Sequence, residues 1–153
     1  MSEIEIIRAA PADLDDILPL VADFHVEEEV ESTPETRREA VAYALANPPV
    51  GEIWLARRGG ALIGYLALAF GFSLAFNGRD SFLDEIYVVP EERGAGLGAR
   101  LIEHVRADAA SRGVKAMHLE VHPENDRARA LYERLGFGLR EYRLMSAFIA
   151  PEA

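Results

Sequence analysis

The sequence predicts a mixed α/β domain with a mostly antiparallel sheet flanked by helices, its elements in the order β-α-α-β-β-β-α-β-α-β. Three observations lead there. Apolar residues recur at helical spacing in four stretches and in extended runs in six others. Two glycine-bearing turns, Gly59-Gly60 and Asn77-Gly78, separate three consecutive extended runs and make them antiparallel neighbours. The 153 residues, half of them apolar, are enough for one core. They contain no linker, repeat or low-complexity tract, so residues 1–153 read as a single domain.

Ile4 to Arg8 form the first short strand. Pro11 opens a helix whose Leu14, Ile17, Leu18, Val21 and Phe24 share one face, and the acidic run Glu27, Glu28, Glu29 ends it. Thr33 before Pro34 is an N-cap followed by proline at the first helical position. That second helix carries Val41, Ala44 and Leu45 on one face and stops before Pro48. "GEIWLARR" and "ALIGYLALAFGFSL" are strands joined at Gly59-Gly60, and "DSFLDEIYVV" pairs back after Asn77-Gly78. Leu97, Leu101, Val105 and Ala109 then repeat every fourth residue in a helix ending at Gly113. "KAMHLEV" is a strand. Ala128, Leu131, Tyr132 and Leu135 mark a helix from about Asn125 to Gly136, and "GLREYRLMSAF" closes the chain as a last strand.

Composition narrows the function classes. A net charge of −10 without any basic cluster repels nucleic acid. No apolar stretch is long enough for a membrane span, and "MSEIEIIRAA" has no secretory pattern, so the expected location is cytoplasmic. The absence of cysteine removes disulfides and thiolate metal sites. Two readings of the acidity stay open: it keeps the chain soluble, or it draws in a cationic small molecule or peptide amine.

"PEERGAGLGARL" places Gly94, Gly96 and Gly98 between a strand and a helix, where backbone approaches a phosphate. A Walker A loop needs Lys and Ser or Thr after its last glycine, and Ala99-Arg100 stand there instead. Gly94, Gly96 and Ala99 satisfy the dinucleotide pattern, with Glu120 about 20 residues on. Four residues, Pro90 to Arg93, separate that loop from its strand, and the motif comes after five elements, too late for a doubly wound nucleotide domain.

Arg93 to Gly98 also match R-x-x-G-x-G, and here the sequence resembles the GCN5-related N-acetyltransferase (GNAT) superfamily. "IYVVPEERGAGLGARLIEHV" is similar to its strand–loop–helix motif, and "LEVHPENDRARALYERLGF" to its second motif. The resemblance implies the acyl-CoA N-acyltransferase fold and acetyl-CoA as cosubstrate, with no metal. It implies pyrophosphate binding by Gly94, Ala95, Gly96, Leu97, Gly98 and Ala99, with Arg93 adding a cation. Main chain of Ile86, Tyr87 and Val88 would bond pantetheine, in a cleft where that strand splays from Met117–Val121, and Asn125 would help fix the cofactor. The acceptor is a primary amine of a small molecule, polyamine-like or otherwise cationic, or of a peptide. A non-catalytic acyl-CoA-binding or sensing module of the same fold is the alternative. Homodimers are common in the superfamily, and the sequence marks no surface for one.

Acyl transfer to an amine needs a neutral amine and a proton for the departing thiolate. Tyr132 matches the superfamily's thiolate-protonating tyrosine; the other reading is a tyrosine packed on the face of Ala128 and Leu135. For the base, Asp84 takes the position of a glutamate implicated in polyamine acetyltransferases. Glu120 matches the base of acetyltransferases of ribosomal-protein N-termini. The two rank level, with Glu85 behind, because neighbours on one strand point to opposite faces and only one should reach substrate. His118, Glu120 and His122 share a strand face but lack a third histidine, so metal binding is not expected. His25, beside the Glu27–Glu29 run, reads as solvated, and the run itself either lines the substrate mouth or is a solvated helix face.

Overall fold

Gly59 and Gly60 both adopt positive φ, 57° and 84°, which matches the twist of flanking strands and closes a hairpin between β2 (Gly51–Arg58) and β3 (Ala61–Ser73). The next reversal differs from the expected two-residue turn. Residues 74–77 form the loop, Asn77 takes φ 58°, and Gly78 already pairs with Ser73 as the first residue of β4 (Gly78–Val88). Asparagine tolerates the left-handed conformation, so the turn signal was right, but the loop has four residues and Gly78 already belongs to the strand. The computed structural model describes residues 2–149, and the outermost residues of the expected 1–153 domain lie outside them. The chain divides into two compact units, Met1–Val121 and His122–Ala153.

The first unit holds a five-stranded sheet in the order β1-β2-β3-β4-β5, with β1 at Ile4–Arg8 and β5 at Ala116–His118. The first three pairings are antiparallel and β4–β5 is parallel, as a crossover through a helix requires. Helix α1 spans Leu14–Glu27 after a 3-10 turn at Pro11–Asp13, so the helix proper starts three residues later than Pro11 suggested. Helix α2, Pro34–Ala46, is capped reciprocally: Thr33 Oγ1 accepts from the Thr36 N–H at 3.1 Å, and Thr36 Oγ1 accepts from the Thr33 N–H at 2.9 Å. Helix α3 spans Leu97–Ser111. No helix among the described residues is long and apolar enough to cross a membrane.

Strand alternation assigns the two faces. Ile53, Leu55, Tyr65 and Tyr87 form one buried cluster with Ile17 and Val21 of α1 and Val41 and Leu45 of α2. Trp54 and Glu52 point the other way, to α3: Trp54 meets His104 edge-on at 5.2 Å, and Glu52 Oε1 accepts from Arg112 at 2.6 Å and from Trp54 Nε1 at 3.0 Å. Glu52 Oε2 lies 3.3 Å from Arg8 Nε, an ion pair whose alignment falls short of a hydrogen bond. Leu97, Leu101, Ile102, Val105 and Ala109 are the buried residues of α3, an i, i+4 stripe with one neighbour.

The second unit is built on α4, Asp126–Arg134. Asn125 caps it by accepting the Ala128 N–H at 3.1 Å. Gly136 at φ 92° ends it, and the Phe137 N–H returns to Tyr132 O at 3.0 Å. Residues 138–149 form no regular element, so the last strand of the expected order is not formed, while every earlier element is. Alternating apolar residues earned that segment a strand reading. A strand exists only where a ladder takes up its N–H and C=O groups, and these residues join none among those described.

Leu101 is fully buried in the α3 stripe. Leu101→Ala should cost about 2–5 kcal/mol of unfolding free energy, read by urea titration, with the slope unchanged.

Candidate active site

The pairing of β3 with β4 skips a residue. Ala67 faces Glu85 and Leu68 faces Leu83, so Asp84 is the extra residue of a β-bulge. This overturns the expectation that Asp84 and Glu85 point to opposite faces. Leu83 shares the side of its partner Leu68, Glu85 that of Ala67 and Tyr65, and the bulge turns Asp84 toward the same side as Glu85. Both carboxylates border a cavity of about 230 Å³ between β2–β4 and the two helices α1 and α2. Its walls are largely apolar, with Val21, Val41, Ala44, Ile53 and Ala67, and His25, Arg37 and Tyr65 supply further polar groups.

Glu85 is held by a chain of donors. Tyr65 O–H donates to Oε1 at 2.8 Å, and His25 Nε2 lies 2.7 Å from Oε2. His25 Nδ1 is 2.8 Å from Ser32 Oγ, which accepts from Arg37 Nη1 at 3.0 Å. An ionised Glu85 can only accept, so His25 Nε2 carries the proton directed at it, and Ser32 Oγ pairs with Nδ1. Burial, then the charge of Glu85 and the hydrogen bond to it, push the Tyr65 phenol well above its ordinary range, so it remains a donor. Asp84 still has surface open at the cavity, yet the surrounding protein withdraws enough water to raise its pKa, and the charges of Glu85 and Glu120 raise it further. The nearby His25 pulls the other way.

Farther along β4 the sheet opens. β5 pairs with β4 only from Asp80↔Ala116 to Phe82↔His118, so the strand expected over Lys115–Val121 is three residues long and the remaining edge of β4 has no ladder among the described residues. The Val89 N–H bonds Ile63 O on β3, and alternation therefore sends Tyr87 main chain to β3 and that of Ile86 and Val88 to the open edge. Val88 O accepts from Arg93 Nε at 2.8 Å. Beyond this edge lies the glycine loop. Gly94 and Gly96 have φ 87° and 82°, and a Cβ on either would meet nothing within 4 Å. No backbone N–H from Gly94 through Ala99 donates to another group among the described residues. Six free N–H groups, open space and the positive end of α3 fit a pyrophosphate.

The other sequence-predicted residues are distributed as follows. Glu120 lies past β5, exposed, close enough to act on Asp84 through its charge. Arg93 Nη2 binds Glu27 at 2.9 Å and its guanidinium stacks over Tyr87 at 5.3 Å, so Glu27 of the acidic run is tied to the start of the glycine loop. In the second unit Asn125 is the α4 cap, and Tyr132 sits edge-on to Phe137 at 6.1 Å. His25 is corrected from solvated to part-buried: its side chain is 12% exposed and bonded to Glu85. Its place four residues after Val21 on the apolar stripe was the available signal. Tyr65 and Arg37 carried no such signal, because both join the site through tertiary contact alone.

Residues 14–137 match the family model described as Acetyltransferase (GNAT) family. The chain is 38% identical over 79 residues to a thialysine N-epsilon-acetyltransferase of Bos taurus, covering 52% of this chain and 46% of that protein, less than half its length. It is 33% identical over 129 residues to an uncharacterized N-acetyltransferase of Mycobacterium bovis, covering 82% of this chain and 78% of that one. An aminoglycoside N-acetyltransferase solved with CoA superposes with a TM-score of 0.83 at 18% identity over 98% of this chain and 97% of its own, a likeness of fold. With the glycine loop, the open β4 edge and this match, the chain belongs to the GNAT family and is an acetyl-CoA-dependent acyltransferase.

Proposed function

We propose that residues 1–153 form one cytoplasmic N-acetyltransferase domain that acetylates a primary amine of a small cationic molecule bound between α1, α2 and the sheet. The observation that carries this reading is the bulge at Asp84, which turns two carboxylates toward one apolar-walled cavity beside the open edge of β4. The relative's name, thialysine N-epsilon-acetyltransferase, supports an amine of this kind.

Acetyl-CoA supplies an activated acyl carbon. The backbone N–H groups of Gly94–Ala99 hold the pyrophosphate, while main chain of Ile86 and Val88 on the open edge orients the pantetheine arm. Asp84 takes the proton that keeps the acceptor amine from attacking. Tyr132 donates a proton to the leaving thiolate, a role carried over from the superfamily resemblance. In balance, the C–S bond breaks, the C–N bond forms, and the ammonium gives up two protons. One ends on the thiol and one reaches solvent.

Gly98 is the cleanest probe of the loop, since its φ is not positive and a Cβ there meets only Ile86 Cδ1 at 4.0 Å. Gly98→Asp should fold normally and lose coenzyme A binding in calorimetry, because a carboxylate would occupy the phosphate's place. A folded variant with parental affinity refutes the loop assignment.

The raised pKa of Asp84 places the acid limb of kcat/KM above the ordinary carboxylate range, with activity lost as pH falls through it. Asp84→Asn should lower turnover about 10²–10⁴-fold near neutrality and recover at alkaline pH, where free amine is abundant. Glu120→Gln removes a charge that raises Asp84, so it should move the limb to lower pH with much of the rate kept. The reverse pattern would make Glu120 the base.

Tyr132→Phe should lower kcat about a hundred-fold while acetyl-CoA affinity stays within a few-fold, since only the hydroxyl is lost. Parental kcat would leave Tyr132 with the packing role that its contact with Phe137 already gives it.

A further inference from the structure

Arg37 is the one lysine or arginine bordering the cavity among the described residues. The proposed reaction gives it no task, and a guanidinium opposes the binding of a purely cationic acceptor. Its placement is nevertheless fixed. Nη1 donates to Ser32 O at 3.3 Å and to Ser32 Oγ at 3.0 Å, both neutral acceptors. The other guanidinium N–H groups find no acceptor among the described residues, and no carboxylate neutralises the charge. Arg8, Arg57, Arg58, Arg93 and Arg112, by contrast, each pair with an acid.

The cavity's acids are separated from it chemically. Glu85 takes its donors from Tyr65 and His25, and Asp84 sits in the bulge. Glu52 borders the cavity too, but its carboxylate points to the α3 side and is bound by Arg112 and Trp54. What remains is a space with two carboxylates, one uncompensated guanidinium and apolar wall between polar groups. The complement of that set is a molecule with ammonium groups, a short aliphatic stretch and one carboxylate.

We propose that Arg37 is a specificity-determining residue that binds a carboxylate on the acceptor, so that the substrate class is a diamino acid rather than a simple diamine. This rests on the reading of the cavity as the acceptor site of an N-acetyltransferase. An arginine fork suits a carboxylate because two parallel N–H groups can meet its two oxygens. Nη1, tied to Ser32, sets the orientation, and the unengaged N–H groups supply the contact. The acetyl transfer is unchanged: C–N forms, C–S breaks, and the reacting amine is the one presented to Asp84.

The test compares pairs that differ only in the carboxylate: lysine against 1,5-diaminopentane and ornithine against 1,4-diaminobutane. The readout is the ratio of kcat/KM within each pair, taken from coenzyme A release. Wild type should favour the amino acid, and Arg37→Met should lower the ratio about ten-fold or more, the scale of a charge-assisted hydrogen bond. Arg37→Lys should recover part of it, as a point charge without the fork. Thermal melts of each variant check the fold. A wild type that prefers the diamines, or an Arg37→Met variant with an unchanged ratio, overturns the proposal and leaves amine acetylation standing. Lysine binding seen by calorimetry and weakened in Arg37→Met, without coenzyme A release from any amine, supports the carboxylate site and refutes the transferase reading.

Discussion

Asp84 has no partner on β3, and the chemistry available to the cavity depends on that one-residue mismatch. In a regular strand Glu85 would face α1 and α2 while Asp84 faced α3, among the buried leucines and isoleucine of that helix. A carboxylate there would lack both a partner and a function, and desolvation would favour its neutral form. The bulge gives up regular pairing at one residue and turns the acid toward the cavity. It also keeps Leu83 on the α3 side, where its partner Leu68 lies, so these two leucines stay buried together on that face.

Two carboxylates so close together repel, and the site manages this by treating them differently. Glu85 collects donors from β3 and α1 on both of its oxygens, which fixes its direction. Asp84 makes no hydrogen bond or ion pair among the described residues, and its pKa rises with burial and with the charges of Glu85 and Glu120. The consequence is a division of labour. A carboxylate held on both oxygens is a fixed hydrogen-bond acceptor, whereas one with a raised pKa is closer to the range useful for catalysis.

Features with a local cause were legible in the sequence. Gly59-Gly60 closes a hairpin because glycine accepts positive φ, and Thr33-Pro34 starts a helix because the cap and the proline both suit its first turn. The left-handed backbone at Gly94 and Gly96 was legible for the same reason: glycine accepts positive φ. Features that depend on how two strands meet were hidden. The bulge at Asp84 is a mismatch between β3 and β4, and nothing in "FLDEIYV" alone announces it. The length of β5 and the missing last strand likewise depend on ladders, and alternation signals only the capacity to join one. His25 fell between the two: its spacing from Val21 was visible, but its bond to Glu85 joins residues 60 apart in the chain.

The charge of the whole molecule bears on the acceptor in two opposing ways. At −10 the chain attracts cations, and that pull extends over roughly 10 Å at 0.1 M salt before screening weakens it. Several arginines are spent locally, on Glu52, Glu92, Glu27 and the acids of α1, so they do little to offset the field. A polyamine would therefore be drawn toward the protein readily. Inside the cavity the same molecule would meet Arg37, whose charge no acid among the described residues cancels. On the proposed reading, long-range attraction favours amines broadly, and one short-range cation narrows that preference. An acceptor that carries both ammonium and carboxylate satisfies the two demands at once, which neither a simple polyamine nor a neutral amine does.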